Sequence, residues 1–73
     1  MNIEKIIEKM NNQPNEIRHE EASKVLEYYG YKLERQKGSH MQFVNDNRDV
    51  FTLKRESSLK AVYVKEILAR ISK

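Results

Sequence analysis

Apolar side chains recur along this chain with two different periods, and the change of period divides it. Ile3, Ile6, Ile7 and Met10 follow the i, i+3, i+4, i+7 spacing that lines one face of a helix. The run Asn11-Asn12-Gln13-Pro14-Asn15 ends that pattern, because proline disfavours helical backbone in the residue before it. A second helix is predicted to begin near Arg18 or His19, with Ala22, Val25, Leu26 and Tyr29 as its apolar stripe. Glu20 and Glu21 suit the positive end of its dipole, and Gly30 suits the left-handed position just past its end. No residue at its start is an obvious N-cap.

After Gly30 the period falls to two. Tyr31 and Leu33 alternate with Lys32 and Glu34, the pattern of a half-buried strand, and Lys37-Gly38 is suited to a tight turn. Ser39 to Val44 reads as a second strand, with Met41 and Phe43 on one face and His40, Gln42 and Val44 on the other. Asn45-Asp46-Asn47-Arg48-Asp49 is turn composition, and Val50 to Lys54 gives a third strand with Phe51 and Leu53 on one face. Ser57-Ser58 offers an N-cap for a last helix whose stripe is Ala61, Val64, Ile67, Leu68 and Ile71.

The predicted fold is α+β: helix, helix, three-stranded antiparallel meander, helix. Short connections favour strands adjacent in chain order, with the helices on one face of the sheet and the other face open. With 73 residues the chain is read as a single domain over 1–73, with 1–12 as an N-terminal helical extension. A domain of this size buries only about 60% of the surface its unfolded chain exposes, so its core must be economical.

Composition narrows the function. No run of about 18 apolar residues is present to cross a membrane, and the first residues interleave acids and bases unlike a secretory signal. The chain has no cysteine, which excludes disulfides, thiolate metal sites and cysteine nucleophiles. A cytoplasmic location is expected. The net charge of +3 is unevenly spread: residues 1–30 carry four bases against six acids, residues 31–73 ten bases against five acids. The second half is therefore the candidate phosphate-contacting half.

Within it, Arg35-Gln36-Lys37-Gly38-Ser39-His40 is the most informative stretch. A glycine lets a backbone amide approach a phosphate closely, while Arg35 and Lys37 supply charge. If Met41 and Phe43 enter the core, alternation places His40 on the open face. An imidazole there can move a proton in phosphodiester cleavage. A surface histidine following a turn is the alternative that spacing alone allows.

Gly30-Tyr31, the Arg35 to His40 run, Phe43 and the tail Leu59 to Leu68 together resemble the HicA-type toxins of bacterial toxin–antitoxin systems, over residues 17–71. The resemblance implies a double-stranded-RNA-binding-domain-like α-β-β-β-α fold. It implies ribosome-independent cleavage of single-stranded mRNA with His40 as the catalytic residue, and neutralisation by a HicB-type antitoxin. DNA contact would come only indirectly, through the antitoxin complex. Lys37, Gly38 and Ser39 take their place in the motif, and Arg35, Lys54 and Arg55 complete the expected RNA-binding set. No metal and no cofactor is expected. The chain departs from the family in one segment: many relatives carry a proline and a second histidine after the third strand, whereas here Thr52-Leu53-Lys54-Arg55-Glu56-Ser57 has neither. A non-catalytic RNA-binding or protein-interaction module of the same fold is therefore the alternative reading.

The remaining candidates are weaker. His19 heads an acid-rich helix and reads as structural or solvated. Asp46 and Asp49 read as loop residues before a metal pair, because magnesium needs convergent oxygen ligands. Tyr28, Tyr29, Tyr31 and Tyr63 have faces on which bases could stack, but packing is the more ordinary use of most of them.

Overall fold

The computed structural model describes residues 2–72. Helix α1 spans Ile3–Asn12, and Asn2 caps it: its Oδ1 accepts from the Glu4 N–H at 2.9 Å. A short 3₁₀ turn over Pro14–Glu16 leads to helix α2, His19–Tyr28. The N-cap here is Arg18, which offers no side-chain oxygen. Instead the Glu21 carboxylate reaches back to accept from the Arg18 N–H at 3.0 Å, half of a capping box.

The end of α2 is built around Gly30. Its φ of +95° is left-handed, its N–H donates to Glu27 O (3.1 Å), and the Tyr31 N–H donates to Leu26 O (2.9 Å). That pair of bonds is a Schellman ending, and it turns the chain directly into the sheet.

Three strands follow: β1, Lys32–Lys37; β2, His40–Val44; and β3, Val50–Lys54. They pair antiparallel in chain order, and helix α3 covers Ala61–Ile71. The predicted element order and fold class are those observed. Met41, Phe43, Phe51 and Leu53 point into the core, where they join Val25 and Leu26 of α2 and Val64 and Ile67 of α3. His40, Thr52 and Lys54 of the same strands are exposed, so the helices cover one face of the sheet only. Helix α1 is part of this packing: it lies against both α2 and α3, and Ile6 and Met10 are buried in the common core. Lys9 of α1 also pairs with Glu21 of α2 at 3.2 Å.

Four local expectations are revised. The tight turn is centred on Gly38 and Ser39, so β2 starts at His40 rather than Ser39. Helix α3 starts after Lys60 with no side-chain cap, and Ser58 instead donates to Asn15 O at 2.6 Å, tying the loop to the 3₁₀ turn. Tyr29 lies past the end of α2 and is 43% exposed. Leu33 is 44% exposed although it lies opposite buried Phe43, because it stands on an edge strand of the sheet.

Candidate functional site

The open face of the sheet is organised by a two-residue hairpin. Gly38 has φ +59° while Ser39 is not left-handed, the pattern of a turn that puts glycine at its first central position. This turn makes Lys37 and His40 direct partners across β1 and β2. On the other side His40 pairs with Lys54 of β3. The Arg55 N–H donates to Ser39 O at 2.6 Å, just outside that pair. The His40–Lys54 pair is therefore the non-hydrogen-bonded kind, in which Cα atoms are about 4.5 Å apart and side chains approach most closely. The histidine stands in a row with a lysine on each flank.

A β-bulge supplies the next row. Leu33 pairs with Phe43, but the following pair is Arg35 with Gln42, so Glu34 is the extra residue. Strict alternation from Tyr31 and Leu33 would put Arg35 and Lys37 on the core side. The bulge restores both to the face that carries His40. Gln42 is in turn opposite Thr52. The two rows are thus Lys37–His40–Lys54 and Arg35–Gln42–Thr52.

All seven residues predicted for the site are exposed: Arg35, Lys37, Gly38, Ser39, His40, Lys54 and Arg55. Lys37, His40 and Lys54 share one row, Arg35 lies beside it, and Gly38 and Ser39 form the hairpin end; Arg55, paired with Ser39 one residue beyond Lys54, falls on the helix side, where it lines a cleft with His19, Glu20 and Glu27 of α2. Among the described residues none of these four cations has an acidic partner, so their charge is directed to solvent or to a ligand. Gln42 and Thr52 were not singled out from sequence. The alternation of β2 and β3 already placed them with His40, but only the strand register shows that they are neighbours.

Away from this face, one of the two acidic candidates, Asp49, has a structural use, while Asp46 is exposed in the β2–β3 loop. The Arg70 Nη1 donates to both Asp49 oxygens (3.0 and 3.1 Å) and to Val50 O (2.7 Å), while its Nε donates to Glu66 Oε2 at 3.0 Å. The Tyr31 hydroxyl also donates to Asp49 Oδ2. Burial, reinforced by the Asp49 carboxylate, pushes the Tyr31 phenol above its ordinary value, and the bond to Glu66 raises that of Arg70. Asp49 is thus a tie between the β2–β3 loop, α3 and Tyr31. His19 lies 3.4 Å from Glu20 on α2, remote from His40 in the chain and outside both rows. Among the described residues no three His, Cys, Asp or Glu side chains come together as a metal site would need, and no helix is long and apolar enough to cross a membrane.

Comparison with curated proteins and with solved structures gives no match. Comparison with protein-family models matches residues 20–72, from the first turn of α2 to the end of α3, to the family described as HicA toxin of bacterial toxin–antitoxin. That span holds every element of the open face and its supporting helices α2 and α3, and it exceeds half the chain. The chain belongs to the HicA toxin family of bacterial toxin–antitoxin systems.

Proposed function

We propose that this toxin is a metal-independent endoribonuclease that cuts single-stranded mRNA without the ribosome, with His40 moving the proton. The observation that carries the reading is the row Lys37–His40–Lys54: an exposed imidazole between two unpaired ammonium groups, on a face that no helix covers. A lysine on either side offsets charge that develops on a phosphate lying over the histidine. Arg35 and the amides of the Gly38–Ser39 turn hold the phosphates to either side.

Among the described residues no cluster of ligands is formed that would prepare a metal-bound hydroxide, and the nucleophile in this reading is the ribose 2′-hydroxyl that neighbours the scissile phosphate. Its oxygen bonds to phosphorus and gives its proton to a base as the bond from phosphorus to the 5′-oxygen breaks. The leaving oxygen takes up a proton. The products carry a 2′,3′-cyclic phosphate and a 5′-hydroxyl. His40 serves at one of the two proton transfers, and water completes the other.

A toxin with this surface uncovered must be masked in its host, and a HicB-type antitoxin is the partner the family supplies. We assign its docking to the same face, with neutral or acidic surface against Arg35, Lys37 and His40. Complementary charge there speeds encounter and sets orientation. The test is an unstructured mRNA incubated with wild-type protein and with His40→Ala, fragment ends being analysed chemically. A placed proton-transfer group contributes about 10² to 10⁴ in rate, so the variant should lose cleavage by that factor while keeping its fold. Equal rates in a folded variant would remove His40 from the mechanism. RNA binding without cleavage by wild-type protein would favour the non-catalytic module.

A further inference from the structure

Along β2 the open face changes character row by row. The first row is cationic, Lys37–His40–Lys54; the second is polar, Arg35–Gln42–Thr52; the third, Lys32–Val44–Val50, is largely apolar, with Val50 42% exposed. Charge, then hydrogen-bonding groups, then apolar surface is the order in which a nucleotide presents phosphate, base edge and base face. Lysines beside a phosphate carry no sequence information; that must come from groups that meet base edges. Gln42 is the one amide in these rows. Among the described residues its side chain makes no hydrogen bond, and it is half-buried between Arg35 and Thr52. A glutamine amide presents a donor and an acceptor side by side, which matches the Watson–Crick edge of a base or the N6/N7 edge of adenine and not the two adjacent acceptors of guanine's N7 and O6. It lies two residues from His40 on the same strand, about 7 Å along it.

We infer that Gln42, seconded by the Thr52 hydroxyl, selects the base beside the scissile phosphate and so sets where this toxin cuts. The inference rests on the cleavage reading above. The RNA recognised is single-stranded, because the deep, narrow major groove of an RNA duplex keeps base edges from side chains, whereas an unpaired base can turn its edge to the sheet.

The test uses the full chain and a pool of short single-stranded RNAs of randomised sequence, with cut sites read by sequencing. Wild-type protein should show a base preference at one position flanking the cut. Gln42→Ala should flatten that preference roughly tenfold, the value of a bidentate base contact. Gln42→Glu, which keeps the shape but only accepts, should shift it toward bases that present an amino group there. Thr52→Val should weaken the same preference without moving its position, and circular dichroism should show all three variants folded. Wild-type cut-site distributions in folded Gln42→Ala and Gln42→Glu would overturn the inference and leave the nuclease reading standing. No cleavage by wild-type protein would instead overturn the nuclease reading, and this inference with it.

Discussion

Arg35 faces Gln42, although Glu34 stands between it and the Leu33–Phe43 pair. The bulge at Glu34 is therefore what brings Arg35 to the side of His40. Two deletions of equal size should have opposite effects. Removing Glu34 regularises the strand and leaves Arg35 opposite Gln42; removing Gln36 leaves Arg35 opposite Met41 on the core side. The first should keep RNA affinity or raise it, since an acid is lost. The second should weaken binding and lower the salt dependence by about 0.7 in log–log slope, the loss of one phosphate contact on a single strand. Titrations of a non-cleavable RNA at several salt concentrations measure both. Indistinguishable deletions would mean that Arg35 does not touch RNA.

Lys37 and Lys54 flank the same imidazole and should be alike in function. Each alanine variant should weaken RNA binding across all sequences and reduce the salt slope by somewhat less than one. Since among the described residues neither lysine has an ion-pair partner, neither change should measurably alter the melting temperature. A melting shift of several degrees with unchanged RNA binding would make these lysines structural.

Cleavage should persist in excess chelator and fall as salt rises. No cluster of metal-ligating side chains is formed among the described residues, and the proposed mechanism assigns transition-state charge to Lys37, Lys54 and Arg35. Activity that vanishes in chelator and returns with magnesium would require a different mechanism.

Tyr31 gives the molecule an alkaline signature. Its phenol titrates higher in the folded chain than its ordinary value of 10.0, through burial first and the bond to Asp49 second. The folded state therefore holds this proton after the unfolded chain has lost it. The contribution to stability is complete below pH 10.0 and is lost as pH rises through the raised value. Tyr31→Phe removes this dependence and, by breaking the hydrogen bond to Asp49, costs about 1.5 kcal/mol near neutrality. Urea melts of both proteins between neutral and alkaline pH should converge at the high end. Parallel curves throughout would show that Tyr31 does not couple folding to pH.

Much of this fold could be read from periodicity. Helical spacing located α1, α2 and α3, and alternation after Gly30 located the three strands and gave His40 its face. Pairing was harder to read. A two-residue period assigns a side to each residue only while the strand is regular, and one extra residue at Glu34 reverses the assignment for Arg35 and Lys37. Nothing in the identity of Glu34 announces a bulge. The Asp49–Arg70 contact was equally hidden, because its partners are 21 residues apart and belong to different elements. The His40 motif was legible through its likeness to a family, whereas Gln42 acquired a role only once Thr52 and Arg35 were known to be its neighbours.

The placement of α3 also bears on how the toxin comes into being. Translation completes the hairpin and His40 well before it reaches Val64 and Ile67, which close the core beneath the sheet. A nascent chain therefore carries His40 on strands whose apolar side is still bare, and a three-stranded meander without its helices has little stability of its own. The open face therefore becomes rigid only after Ile67 has left the ribosome, and any partner that reads the Lys37–His40–Lys54 row meets its final geometry only once α3 has packed.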